Sequence, residues 1–228
     1  MRTLTEFVEE ADYCLIRMDD GKANALSFEM LGQLNAALDR AAQAGKVVVL
    51  AGRPGKFCAG FDLSVMGQGG EAMIDLLRTG AALSRRLLAM ETPVVLAVSG
   101  HALAMGALLL LSADYRIGIR GDYRIGLNEV AIGMTLPYFG VELARARLVP
   151  SHLERAVNLA ELYDPAGAVA AGYLDEAVSG EELLARASAR AAQLARLDME
   201  AHRDTKIRIR EQLNGAMAAA LARDFPAG

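Results

Sequence analysis

One acid stands among apolar and small residues in the stretch Ile125-Gly126-Leu127-Asn128-Glu129-Val130-Ala131-Ile132-Gly133. Burial there would penalise the carboxylate and raise the pKa of Glu129, which suits a group that takes a proton and gives it back. An exposed carboxylate at a strand end is the plainer alternative. Two small-residue loops offer a different chemistry. Gly52-Arg53-Pro54-Gly55-Lys56-Phe57-Cys58-Ala59-Gly60-Phe61-Asp62-Leu63 is one, and Gly100-His101-Ala102-Leu103-Ala104-Met105-Gly106, running into the apolar stretch Ala107 to Leu111, is the other. Small residues let a backbone approach a ligand closely, and free amides at a helix start favour negative charge. Two such loops, each behind a buried strand, would make a two-amide oxyanion hole.

The elements that must hold these groups alternate between strand and helix patterns. Thr5 to Glu10 and Tyr13 to Met18 read as a hairpin, with Asp19-Asp20-Gly21 supplying turn chemistry. Ser27 is placed to cap a helix whose Leu31, Leu34 and Leu38 recur at helical spacing, and Gly45 ends it. Lys46 to Leu50 and Val94 to Val98 suit buried strands, each leading through a small-residue loop towards a helix. The helix between them runs from about Glu71 to Met90 and is broken by Thr92-Pro93. This alternation predicts an α/β fold. Neither G-x-G-x-x-G nor G-x-S-x-G is present, which disfavours a dinucleotide fold and an α/β-hydrolase.

The echo of Asp114-Tyr115-Arg116-Ile117-Gly118 in Asp122-Tyr123-Arg124-Ile125-Gly126 predicts two neighbouring strands about a turn at Arg120-Gly121. From Pro150 the composition turns to Ala, Leu, Arg and Glu. Ser151 and Glu154 have capping-box spacing, Asp164-Pro165 looks like an N-cap with proline after it, and Glu181 to Leu197 and Met199 to Ala222 pattern as amphipathic helices. Residues 1–149 are therefore read as the core and 150–228 as a helical region covering its own core or a neighbouring subunit.

The 28 acids and 24 bases are interspersed without a like-charge block, which argues against nucleic acid as the main partner. Cys14 and Cys58 cannot make a disulfide framework, no Cys/His pair has metal-ligand spacing, and no metal is expected. Cys58 suits small buried packing better than nucleophilic catalysis. His101, His152 and His202 stand far apart without a nucleophile motif, although His101 adjoins the second loop. The Met1 to Glu10 segment resembles neither a signal nor a transit peptide, and Ala102 to Leu111 is shorter than the roughly 20 residues that span a bilayer. A cytoplasmic protein with no membrane partner is expected.

Asn24-Ala25-Leu26-Ser27, the Phe57 to Leu63 loop and the Gly100 to Gly106 loop follow the order and spacing of N-A-L-S/N, F-x-A-G-x-D-L and G-x-A-x-G-G-G. Over about residues 5–175 the chain thus resembles the crotonase (enoyl-CoA hydratase/isomerase) superfamily. The resemblance implies an α/β spiral of ββα turns, C-terminal helices that build a homotrimer or a hexamer of two trimers, and an acyl-CoA substrate bound in bent form. It implies no cofactor, since CoA is part of the substrate. By the same likeness the N–H groups of Phe61 and Met105 hold the thioester oxygen. The second donor is usually a glycine, and Met105 departs from that pattern. Lys22, Ala23, Ala25, Ala59, Asp62, Leu63 and Gly106 are implied as substrate-binding and CoA-binding residues, chiefly through backbone. Lys22 and Lys56 are candidates to attract phosphate, with solvated lysines as the alternative.

Glu129 falls on the second of two acidic positions used by enoyl-CoA hydratases, and Gly126-Leu127-Asn128-Glu129 is most similar to mitochondrial-type 3,2-enoyl-CoA isomerases. The first acidic position is Leu108. Hydration shares its work between two carboxylates, whereas moving a double bond needs one proton carried from C2 to C4. An isomerase is therefore expected, with a hydratase, thioester hydrolase or decarboxylase as alternatives on the same fold. From another class comes a non-catalytic acyl-CoA-binding trimer.

Overall fold

A computed structural model of the chain describes residues 2–226. The opening hairpin forms from β1 (Thr5–Glu9) and β2 (Tyr13–Met18), antiparallel from Thr5 against Met18 to Glu9 against Cys14. Its turn lies between these strands, not at Asp19-Asp20-Gly21. Those acids instead fold the loop that follows: Asp19 accepts from the Gly21 amide at 2.7 Å, and Asp20 from the Lys22 and Ala25 amides at 2.6 and 3.0 Å. Helix α1 (Phe28–Ala44) starts where Ser27 accepts from the Met30 amide and stops at Gly45, whose φ of 64° is left-handed.

A repeated unit then builds the spiral. β3 (Val47–Ala51) and β4 (Gly55–Cys58) lead into α2 (Leu63–Met66) and α3 (Gly70–Ala89); β5 (Val94–Val98) and β6 (Gly100–Leu103) lead into α4 (Met105–Ser112). β7 (Tyr115–Ile119) and β8 (Ile125–Gly126) lead through a 3-10 turn, Val130–Ile132, into α5 (Tyr138–Arg147). The first strand of each pair joins a six-stranded sheet, β1-β2-β3-β5-β7-β9, that β9 (Glu176–Val178) completes, and the second joins a three-stranded sheet, β4-β6-β8. The two Asp-Tyr-Arg-Ile-Gly echoes are therefore not neighbouring strands. One lies in each sheet, because the chain crosses between sheets at the intervening turn.

The all-apolar strands are explained by burial on both faces. Val48, Leu50, Val94 and Leu96 face the main core with α1 and α3, while Val47, Val49, Val95 and Ala97 face α8 (Leu183–Leu194). Helices α6 (Pro150–Val157) and α7 (Pro165–Ala171) precede β9. Asp164 caps α7 by accepting from the Gly167 amide at 2.7 Å, but α6 begins at Pro150 after Val149, and Ser151 caps nothing. Proline's fixed φ starts that helix two residues before the capping-box reading places it.

The helix predicted over Met199 to Ala222 is two helices, α9 (Met199–Ile209) and α10 (Glu211–Asp224). Arg210 stands at the break, where it donates to Leu88 O at 2.7 Å and to Asp114 at 2.8 Å. α10 returns over α5: Asp224 accepts from the Tyr138 and Phe139 amides, both at 2.9 Å, and Leu213, Met217 and Ala220 enter the main core. Among the described residues no helix is long and apolar enough to cross a membrane.

Candidate active site

The first loop is held by Asn24, a residue whose role sequence reasoning missed. Its backbone takes φ 52°, a left-handed conformation that asparagine tolerates better than most residues. Its buried side chain donates to the carbonyls of Met18, Lys56 and Phe57 at 2.9 to 3.2 Å and accepts from the Asp20 amide at 3.0 Å. That clamp sets the Ala23 to Leu26 segment beside the end of β4. Ala59 then donates to Ala23 O, Leu26 donates to Gly60 O at 2.8 Å, and Asp62 donates to Leu26 O. These bonds leave the Phe61 N–H on the opposite side, with no hydrogen-bond partner among the described residues.

The second loop approaches from β6. Ala104 adopts φ 50° and ψ −123°, and its amide donates to Gly126 O at 3.0 Å. A left-handed alanine is strained, so the loop is held in shape by its surroundings. Met105 opens α4, so its N–H has no acceptor within the helix. The two loops touch: a Cβ built on Gly60 would stand 3.6 Å from the Met105 nitrogen and 3.0 Å from the Ala104 Cβ. Below them, a Cβ on Gly80 of α3 would run into the Phe61 ring and stand 3.6 Å from the Met105 terminal methyl. Phe61 and Met105 therefore turn their side chains towards α3 and leave their amides to the loop surface. Gly106 is buried, where any side chain would meet the Cys58 carbonyl. Its place is a packing contact between α4 and β4.

β8 delivers the acid, since β6 pairs with β8 and the chain continues from Gly126 through Leu127 and Asn128 to Glu129. Glu129 is only 8% exposed, and its carbonyl accepts from the Ile132 and Met134 amides at 3.1 and 2.9 Å, which fixes the turn. Burial pushes its carboxyl above the usual range, opposed more weakly by its own amide and that of Asn128. Its Oε2 has no hydrogen-bond partner among the described residues. An acid whose carboxyl is raised by burial is suited to take up a proton and give it back. Leu108, one turn into α4, is buried against α5: a Cβ on Gly140 would stand 3.3 Å from its Cδ1. Hydrocarbon fills the position that the family resemblance assigns to a second acid.

A family model described as Enoyl-CoA hydratase/isomerase matches residues 9–225. The chain belongs to that family. It is 29% identical over 215 residues to human mitochondrial enoyl-CoA delta isomerase 1, covering 92% of this chain and 71% of that one. Its fold matches an enoyl-CoA hydratase/isomerase family protein from Pseudomonas syringae at TM-score 0.95 and 46% identity, over 97% of this chain and 96% of the other. It also matches an enoyl-CoA hydratase from Mycobacterium marinum at TM-score 0.94 and 40% identity, over 97% and 98% of the two chains.

The other residues that the family resemblance singles out lie around the first loop. Lys22, Ala59 and Leu63 are exposed, Leu63 at 77%, while Ala23, Ala25 and Asp62 are half-buried. Asp62 caps α2, accepting from the Ser64 amide at 2.9 Å and its hydroxyl at 2.7 Å. Arg53, not singled out in the sequence, donates to Lys22 O at 2.7 Å and pairs with Asp19 at 3.0 Å. His101 is committed to structure, because its Nδ1 accepts from the Arg124 amide at 3.0 Å and its ring meets Tyr123 edge-on. Cys58 is fully buried, and burial pushes its thiol up to about 12, so it is no nucleophile at neutral pH.

Proposed function

We propose that this family member is a 3,2-trans-enoyl-CoA isomerase acting through one carboxylate. The observation that carries the reading is the combination of a buried Glu129, whose Oε2 has no hydrogen-bond partner among the described residues, with hydrocarbon at Leu108. In the proposed reaction Glu129 removes a proton from C2 of a 3-enoyl thioester. The electron pair moves through the thioester carbonyl to give a dienolate oxygen, which accepts from the Phe61 and Met105 amides. Glu129 then returns the same proton at C4, leaving the double bond between C2 and C3. Each oxyanion donor contributes roughly 3 kcal/mol by analogy with other such sites.

Lys22, Ala23, Ala25, Ala59, Asp62 and Leu63 are proposed to line the CoA path, since they surround the loop that presents Phe61. The proposed assembly is a homotrimer or a hexamer of two trimers. Supporting it, α9 leaves Ile207 and Ile209 exposed at 59% and 79%, apolar surface that a neighbouring copy would cover.

A hydratase is the second reading, favoured by the similarity to the Mycobacterium marinum hydratase. Incubating the protein with 3-enoyl-CoA and 2-enoyl-CoA, and following products by mass spectrometry, separates the two. Isomerisation without added mass supports the proposal; efficient addition of water to 2-enoyl-CoA overturns it.

A further inference from the structure

The surroundings of Glu129 hold more polar atoms than proton transfer alone requires. Glu129 Oε2, Asn128 Oδ1 and the Tyr173 hydroxyl are all buried, and none has a hydrogen-bond partner among the described residues. Buried polar groups in native proteins are almost always satisfied, by protein or by ordered water. Asn128 and Glu129 are adjacent in the chain, and two acceptors and one donor are a set that a single water can satisfy, receiving from the donor and giving to both acceptors.

Tyr173 is fixed from three sides. It follows Gly172, which ends α7 at φ 95°, and its amide donates back to Ala168 O at 2.9 Å. Its ring has no exposed surface and packs on Tyr163 with centroids 5.8 Å apart. Tyr163 is tied to β8 by a reciprocal pair of 2.9 Å backbone bonds with Ile125, on the strand that runs into Glu129. Through Tyr163 the Tyr173 ring is thus held beside the strand that leads into the turn carrying Glu129. Burial raises that phenol far above its ordinary range, so it stays a donor at any working pH.

We propose that Tyr173 is a positioning residue for Glu129: its hydroxyl donates through one bridging water to the Glu129 carboxylate, with Asn128 Oδ1 as the water's other acceptor. The inference rests on Glu129 being the base of the proposed reaction. Its consequence is a hydrogen bond that favours the ionised acid, offsetting part of the burial that disfavours it. The other titratable groups on this side are Tyr163 and, against it, His152 of α6, with the Arg155–Glu161 pair beyond them. No charged side chain contributes to the shift of Glu129 itself. The hydroxyl is therefore the group to test.

Tyr173→Phe keeps the ring and removes only the donor. The acidic limb of kcat/KM for 3-enoyl-CoA should move up by about one pH unit, while the high-pH rate stays within about twofold of wild type. A carbon NMR titration of the Glu129 carboxyl, assigned with Glu129→Gln, should show the same shift without turnover. Should Tyr173→Phe fold poorly, 3-fluorotyrosine at 173 provides a stronger donor of nearly the same shape and should move both readouts down. Unmoved readouts, or shifts of opposite sign, overturn the assignment. Glu129→Gln measured in parallel keeps the two ideas apart. An active Glu129→Gln enzyme removes the isomerase reading, whereas an inactive one beside an unmoved Tyr173→Phe titration removes only the role of Tyr173.

Discussion

Leu108 of α4 packs directly on Gly140 of α5, with 3.3 Å between the leucine Cδ1 and the place a side chain on Gly140 would take. Leu136 lies at the same spot, 3.1 Å from it. Leu108→Glu would put a carboxylate into this contact without a partner, and should cost about 3 kcal/mol or more in stability. Where it folds, it should create weak hydratase activity at most, because packing against α5 restricts how the new acid can meet the substrate. Denaturant unfolding checks the first outcome and mass spectrometry of 2-enoyl-CoA products the second. Efficient water addition by a folded Leu108→Glu protein would show that this position reaches the substrate unhindered.

Glu129 makes a prediction of opposite sign for stability and activity. Its folded pKa is raised by burial above the ordinary 4.5, so the folded state holds the proton more tightly than the unfolded chain. The stability it contributes is fully present below the unfolded pKa and is lost as pH rises through the folded one. Glu129→Gln should therefore melt higher than wild type at neutral pH, with the difference closing on acidification towards pH 4.5. The same substitution should abolish nearly all isomerase activity and leave acyl-CoA binding intact, since the oxyanion donors are backbone. Melting curves across pH and a binding titration with a saturated acyl-CoA check both.

What could be read in advance follows from the range of the forces involved. Ser27 and Asp164 accept from amides, and Gly45 donates to a carbonyl, all within a few residues, so their caps were legible as local chemistry. The buried strands were legible because a sheet covered on both faces tolerates only apolar side chains. The burial of Glu129 was legible only with the family motifs beside it, since its own neighbours fit an exposed strand end as well. The break at Arg210 was not, because its partners Asp114 and Leu88 lie 96 and 122 positions away. Nor does any local pattern announce the strained φ of Ala104, or that Tyr173 would pack on Tyr163 beside β8. Both are imposed by packing between turns of the spiral.

Ala104 itself should tolerate its own removal. At φ 50° and ψ −123° an alanine is strained while glycine is not, so Ala104→Gly should stabilise the protein by about 1 kcal/mol after the entropy of the freer unfolded chain is deducted. Turnover should change little, because the Met105 amide stays at the start of α4. Ala104→Val, whose branched side chain fits that conformation worse, should lower the melting temperature. Thermal unfolding of the two variants beside wild type decides the sign.

Gly60 is the more severe test of the two-amide site, since it immediately precedes one donor and touches the other. Its φ is 97°, and an added Cβ would come within 3.0 Å of the Ala104 Cβ and 3.6 Å of the Met105 nitrogen. Gly60→Ala should therefore strain the turn and push the loops apart, displacing the Phe61 and Met105 amides from a shared oxygen. Misplacing one oxyanion donor lowers kcat by about a hundredfold or more, whereas the backbone strain costs only about 1 to 2 kcal/mol of stability. Activity should thus fall much further than the population of folded protein. Adding Ala104→Gly removes the methyl that the new one meets, so the double variant should regain part of the lost kcat, a coupling that independent sites would not show. Steady-state kinetics and unfolding curves for the two single variants and the double variant give the cycle. Strict additivity in kcat would mean that the loops do not meet as described, and that the oxyanion site is not shared between them.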